Sequence, residues 1–83
     1  MASRPERPWS VLESYETFEG THCVDVFVRT NETYGFEAFR RDPEDAGRWT
    51  SMNQFSSHEY PSSADAIAAA QEKIQWLAAL LER

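Results

Sequence analysis

The chain has 83 residues, and its 14 Asp and Glu outnumber its eight Lys and Arg, which gives a formal net charge of −6. This length allows one domain with a modest core, and the 41% hydrophobic content is that of a folded chain. A negative field repels phosphate backbones and anionic lipids, so nucleic-acid binding is disfavoured. Since no apolar run approaches the roughly 18 residues that span a bilayer, we expect no membrane association.

The N-terminal part of the chain changes character at Trp9. Residues 1–8 mix two prolines with charged side chains and are expected to form a flexible lead, with a single domain over 9–83. Ser10-Val11-Leu12-Glu13 fits a capping box, which predicts a short helix or turn over residues 11–18. With one cysteine, Cys23, and no apolar signal segment at the N-terminus, we expect a cytoplasmic location.

Three later segments have the composition of strands, over about residues 21–30, 33–42 and 48–56. In the first strand three valines alternate with larger or charged residues, which predicts one apolar face. In the third strand Trp49 and Phe55 are expected to point inward. The apolar Met52 would face the opposite side of the strand, so the sequence leaves two registers that differ by one residue.

A helix is predicted over about residues 63–82, where the chain has no Gly or Pro. Ser62 is the expected N-cap, and Asp65 suits the positive end of the helix dipole. One apolar stripe consists of Ile67, Ala70, Ile74, Leu77 and Leu81. The predicted fold is α+β: a three-stranded antiparallel sheet packed on one face by a long C-terminal helix, in the order β-β-β-α.

The run VDVFVRTNETYGFEAFRRDPEDAGRW, followed by YPSSADAIAAA, resembles small uncharacterised bacterial β-β-β-α proteins of unknown function. More loosely, the chain is similar in topology to double-stranded RNA-binding domains, which have the order α-β-β-β-α. It also resembles HicB-type antitoxins, in which a strand leads into a helix that opens with S-x-x-[DE]-A. These resemblances imply a fold and transfer no functional residue.

The most highly charged stretch, YGFEAFRRDPEDAGRW, is best explained as a hairpin. Asp42-Pro43-Glu44-Asp45 suits a type I turn, and Gly47 can supply a left-handed residue that leads into the next strand. The flanking arginines, Arg40, Arg41 and Arg48, can pair with the acids of the turn. The sequence therefore favours a structural turn over a partner-binding loop, a metal site or a catalytic site.

The residues that could bind a metal are His22, Cys23 and His58. They lack the closely spaced ligand pairs of zinc sites, and the adjacent His22 and Cys23 point to opposite faces of a strand. We therefore expect no cofactor, no metal and no catalytic residue, and a metal-dependent hydrolase is the least favoured function.

Two groups of residues are expected to form an interaction surface. If the valines face the helix, Phe27 and Phe39 are exposed on the other face of the sheet beside Arg29 and Arg41. Trp76 and Leu80 lie about 100–140° away from the helix stripe, at about 100° per residue. They could be covered by the N-terminal Trp9, Leu12, Tyr15 and Phe18, by a partner protein or by a second copy of the chain.

These features predict a small non-enzymatic domain that acts through protein–protein interaction, as a monomer or weak homodimer with a protein partner. The candidate surface consists of Trp76, Leu80, Phe27, Phe39, Arg29 and Arg41. The alternative is a nucleic-acid-binding or antitoxin-like regulatory module, which would require arginines clustered away from the acids.

Overall fold

The computed structural model describes residues 9–42 and 47–81, which form an antiparallel sheet in the order β1-β2-β3-β4 and two helices. The strands are Trp9–Glu16 (β1), His22–Arg29 (β2), Tyr34–Arg41 (β3) and Trp49–Ser51 (β4), and the helices are Ser63–Lys73 (α1) and Gln75–Leu81 (α2). The α+β class with an antiparallel sheet and C-terminal helices is confirmed. The predicted three strands and single long helix are wrong, because the sheet has four strands and the helices are short.

Two predicted features, the lead over residues 1–8 and the turn at Pro43, Glu44 and Asp45, lie outside the described residues. Gly47, which follows the predicted turn, has the expected left-handed conformation with φ of 72°. Within 9–42 and 47–81, neither helix has the length and apolar content needed to cross a membrane.

The helix or turn predicted over residues 11–18 is wrong for residues 11–16, because residues 9–16 form the edge strand β1, which pairs antiparallel with β2. A bulge between Val11 and Glu13 leaves Leu12 outside the register. Pairing with β2 satisfies the backbone and places Tyr15 against the core, whereas an isolated helix of this length is marginal in water. The capping-box pattern at Ser10 is therefore overridden by a contact with a distant segment.

The core lies between one face of the sheet and the helices, and we call this face the inner face. The alternation predicted for the central strands is confirmed by the pairing of Val24 with Ala38 and of Val26 with Phe36. The buried cluster consists of Val24, Val26, Phe36, Ala38, Ala66, Ala70, Ile74 and Leu77. Because α1 contributes alanines, its backbone can approach the sheet closely.

The last strand stops at Ser51, far short of the predicted residue 56. The amide of Met52 still donates to the carbonyl of Ala38 at 2.9 Å, but Asn53 then adopts a positive φ of 52° and the chain leaves β3. The chain returns at Tyr60, whose amide and carbonyl both bond to Tyr34, at 2.8 and 2.9 Å. The segment 52–59 therefore forms a loop along the edge of β3.

Of the two residues predicted to point inward from the last strand, one points into the core and the other does not. The ring of Phe55 stacks on Phe36 with a centroid distance of 5.0 Å, so the inward prediction for Phe55 is confirmed. Trp49 pairs with Arg41 and lies on the face away from the helices, which we call the outer face. The prediction for Trp49 is therefore wrong.

The predicted start of the helix is confirmed, because the side chain of Ser62 accepts a hydrogen bond from the amide of Asp65 at 3.1 Å. The predicted continuity is wrong, because Ile74 adopts an extended conformation with φ of −122° and ψ of 102°. Beyond the break Leu77, which belongs to the predicted apolar stripe, is fully buried, and Trp76 packs partly against the core.

Tyr15 provides a test of the packing of β1 through the pH dependence of stability. Burial is the main cause that raises the pKa of Tyr15 above its usual 10.0. The hydrogen bond from the Tyr15 hydroxyl to Glu13 at 2.9 Å and the negative charge of Glu13 raise this pKa further. The folded state thus favours the neutral phenol. This stabilisation is complete below about pH 10 and is lost as the pH rises through the raised pKa.

We therefore expect the free energy of unfolding to fall above about pH 10, and to fall less in Tyr15→Phe, as measured by urea unfolding across alkaline pH. In absorbance titrations, Glu13→Gln should lower the pKa of Tyr15 towards 10.0 because it removes the negative charge. Glu59→Gln, which alters an exposed acid, is the control. Identical titrations of the wild type and Glu13→Gln would contradict the assignment.

Candidate functional site

The outer face of the sheet is packed rather than open. Its central residues are Cys23, Asp25, Phe27, Glu37 and Phe39, and none of them is more than 2% exposed. The expectation that Phe27 and Phe39 are exposed is therefore wrong. Both phenylalanines belong to the interior of the protein.

Phe27 is covered by a stack of side chains from two strands. The Trp9 ring lies parallel to the Phe27 ring, with a centroid distance of 3.8 Å and an interplanar angle of 7°. The Arg29 guanidinium carbon lies 5.0 Å from the Phe27 centroid, a cation–π arrangement. Gly35 is opposite Phe27 in the ladder, and its missing side chain leaves room for the ring.

Substitution of Gly35 tests this packing. A Cβ atom at Gly35 would lie 2.9 Å from both Phe27 Cε1 and Arg29 Nη2, so Gly35→Ala should lower the free energy of unfolding by about 1–3 kcal/mol. The loss should be smaller in a Phe27→Leu background, because the rigid ring is then absent. A urea-unfolding double-mutant cycle measures this coupling, and strict additivity would contradict it.

The two arginines predicted to contact a partner instead hold loops of their own chain. Arg29 donates to the carbonyl oxygens of Ser56 and His58, the latter at 3.0 Å. Arg41 donates through Nη2 to the carbonyl of Gly20 at 2.7 Å, and its guanidinium lies 4.4 Å from the Trp49 centroid. Neither guanidinium is placed as an open phosphate contact.

Glu37 is a buried charged side chain whose role the sequence did not reveal. Its carboxylate accepts hydrogen bonds from three successive backbone amides, those of Gln54 at 3.2 Å, Phe55 at 3.2 Å and Ser56 at 2.8 Å. The Ala38 amide is a fourth donor at 2.9 Å. Glu37 thus binds the loop at the point where a longer fourth strand would have paired with β3.

Asp25 lies opposite Glu37 in the ladder between β2 and β3, so two buried carboxyl groups are neighbours. Asp25 Oδ1 accepts a hydrogen bond from the Ser14 hydroxyl at 2.6 Å and from the Cys23 thiol at 3.4 Å. A carboxyl pair that acts on a substrate must reach it, and these two groups are at most 2% exposed. Both carboxyl groups are bound by hydrogen bonds within the protein.

We expect Glu37→Gln to lower the free energy of unfolding by about 2–4 kcal/mol, because the amide side chain cannot accept from all of the loop amides. Hydrogen exchange should accelerate at the Phe55 and Ser56 amides. Glu59→Gln, at an exposed position, is the matched control and should stay within about 0.5 kcal/mol of the wild type. Equal stabilities of the two variants would contradict the role of Glu37.

The residues considered as metal ligands are separated. His22 and His58 are exposed, while Cys23 is buried on the outer face. Among residues 9–42 and 47–81, no three His, Cys, Asp or Glu side chains are grouped so that they could hold a metal ion.

A groove lies where the turn between β1 and β2 meets α2. It has a volume of about 310 Å³ and is lined by Thr17, Phe18, Glu19, Trp76, Ala79 and Leu80. Phe18 is fully exposed, Leu80 is 36% exposed and Trp76 is half-buried. Of the six predicted surface residues, the structure brings only Trp76 and Leu80 into this groove.

The N-terminal segment only partly covers Trp76 and Leu80. Its Trp9 lies on the outer face against Phe27, Tyr15 packs against the core, and Leu12 is 47% exposed. Phe18 reaches the groove but remains exposed itself. The sequence identified Phe18 as apolar, but its position beside α2 depends on the pairing of β1.

A larger depression of about 700 Å³ crosses the outer side of the helices. It is lined by Tyr60, Pro61, Asp65, Ala68, Ala69, Gln71, Glu72 and Ala78. Its walls mix small alanines with polar side chains.

No protein-family model, curated protein or solved structure matches this chain. In the described residues the element order also differs from that of double-stranded RNA-binding domains, because β1 occupies the place of their first helix. The resemblances to small bacterial β-β-β-α proteins and to HicB-type antitoxins stay predictions.

Proposed function

We propose that this protein is a non-enzymatic interaction domain that contacts a protein partner through the groove of Phe18, Trp76 and Leu80. The observation that carries the proposal is the fully exposed Phe18 beside the partly exposed Leu80 on one groove. Clustered apolar side chains on a surface are typical of protein contacts, and aromatic anchors dominate their binding energy.

The turn that carries Phe18 is fixed by hydrogen bonds, which favours it as a binding element. The Thr17 hydroxyl accepts from the amides of Thr21 at 3.2 Å and His22 at 3.3 Å. The Gly20 amide donates to the Thr17 carbonyl at 2.9 Å. Phe18 is therefore presented from an ordered turn, and less conformational entropy is lost when a partner covers it.

The charge distribution favours a protein partner over a nucleic acid. Among the described residues that line the groove, the charged one is Glu19, which repels phosphate. Arg29 and Arg41 donate to carbonyls of their own chain, and Phe27 is fully buried with its ring stacked on Trp9, so it is not available for base stacking. The proposed surface therefore keeps Trp76 and Leu80, adds Phe18, and omits Phe27, Phe39, Arg29 and Arg41.

A photo-crosslinking residue at Leu80, in the full chain within its native cell, tests the proposal. We expect an adduct larger than the chain, and at least about tenfold less of it when Phe18→Ser is added, because an aromatic anchor is lost. A probe at Met52 is the matched control, since Met52 is 37% exposed and Leu80 is 36% exposed. Absence of an adduct at Leu80, or equal adducts at the two positions, would overturn the proposal.

A further inference from the structure

We propose that the break between α1 and α2 is a hinge centred on Ile74. About this hinge α2 moves between the bent form, in which the two helices are separate, and a straight form in which residues 63–81 are one helix. The hinge itself does not depend on the proposed function. Its role does rest on that function, because α2 carries one wall of the proposed contact groove.

The amino-acid sequence at the break is that of a continuous helix. Residues 63–81 contain no Gly or Pro, and Gln75, directly after the break, is a good helix former. Sharp interruptions of a helix usually coincide with Pro, with Gly or with a group inserted into the hydrogen-bond ladder. The local preference of the chain and its folded conformation therefore disagree at Ile74, and such disagreement is typical of functional sites.

The helical hydrogen-bond ladder is interrupted at the same place. The Ile74 amide donates to the Ala70 carbonyl at 2.8 Å, and beyond the break the Ala78 amide donates to the Ile74 carbonyl at 3.2 Å. The Leu77 amide also donates to the Ile74 carbonyl, at 3.1 Å, which is the tighter spacing of a 3₁₀ turn and often marks a hinge. In a straight helix the amides of residues 75–77 would donate to the carbonyls of residues 71–73, so straightening improves the backbone hydrogen bonding.

The straight form keeps the buried side chains of the helices on one face. Ala66, Ala70, Ile74 and Leu77 are all buried in the bent form. In a continuous helix Leu77 follows Ala66 by about three turns plus about 20°, so it would point to the same side as Ala66. Straightening therefore does not rotate this stripe into solvent.

Trp76 is the side chain that favours the bent form. It packs partly against the core in the structure, whereas in a straight helix it would lie about 120° from the centre of the buried stripe. With seven residues, α2 is too short to be stable as an isolated helix, so it must either pack through Trp76 or continue α1. Burial of one aromatic side chain and a few backbone hydrogen bonds are comparable in size, so the two forms lie close in free energy.

Straightening removes the groove. One wall consists of residues 17–19 in the turn between β1 and β2, and the other consists of Trp76, Ala79 and Leu80 on α2. Because the two walls belong to different elements, a change in the direction of α2 separates them. A partner in the groove therefore selects the bent form, and straightening of the helix releases it.

The backbone conformation of Ile74 tests the hinge, because the chemical shift of its Cα atom differs between extended and helical backbone. In the full chain we expect NMR relaxation dispersion at residues 74–77 on the microsecond-to-millisecond scale, from a minor form of about 1–10% in which Ile74 is helical. Trp76→Ala should raise the population of this form about threefold or more, since it removes the contact that favours bending. Ile67, which lies within α1 in both forms, is the internal control.

Two substitutions of Gln75 separate the bent form from the straight form. Gln75 is exposed and is the first residue of α2, where a proline removes no helical hydrogen bond, and the extended Ile74 before it suits a following proline. Inside a straight helix the same proline would remove a hydrogen bond and clash with the preceding turn. Gln75→Pro should therefore fold and abolish the exchange, whereas the matched Gln75→Ala should retain it.

An Ile74 without exchange in the wild type and with an unchanged shift in Trp76→Ala would overturn the inference. Exchange at Ile74 that persists in Gln75→Pro would overturn it as well. The hinge and the interaction function fail separately. If Ile74 is static while the Leu80 probe captures a protein, the hinge fails and the interaction function stands. If Ile74 exchanges and the probe captures nothing, the hinge stands and the interaction function fails.

Discussion

The carboxylate of Glu37 determines the path of the chain between β4 and α1. Beyond Met52 the backbone no longer pairs with β3, and the amides of residues 54–56 donate to Glu37 instead. This arrangement turns Phe55 into the core against Phe36 and returns the chain to β3 at Tyr60. Because the helix cap at Ser62 follows two residues later, the Glu37 carboxylate helps to place the start of α1 beside the sheet.

Arg29 complements Glu37 from the neighbouring strand. It donates hydrogen bonds to the carbonyls of Ser56 and His58. The amides of the loop therefore bind the Glu37 carboxylate, while its carbonyls bind the Arg29 guanidinium. Removing charges from water is unfavourable, but several hydrogen bonds to each group offset that loss. The charges of the outer face therefore stabilise the fold, which is why the proposed contact surface is the groove at the end of the sheet.

The features predicted correctly from the sequence depend on neighbouring residues, such as the alternation of Val24 and Val26 and the cap at Ser62. The errors depend on distant contacts. Residues 9–16 satisfy a helix pattern locally, but pairing with β2 decides their structure, and no Gly or Pro marks the helix break at Ile74. For the candidate site, helical phase identified Trp76 and Leu80, whereas the burial of Phe27 depends on Trp9 in another strand.

The same pairing of β1 explains why an apolar groove remains. In a helix over residues 11–18, Phe18 could have packed on the same face as Tyr15 and covered Trp76. In a strand, Tyr15 reaches the core and the turn that follows carries Phe18 into solvent beside Leu80. Exposed apolar area costs about 25 cal/mol per Å², so the isolated chain keeps an unfavourable surface that association would remove. The contact that secures the edge of the sheet therefore also leaves Phe18 and Leu80 exposed on one groove, which is the surface proposed to bind a partner.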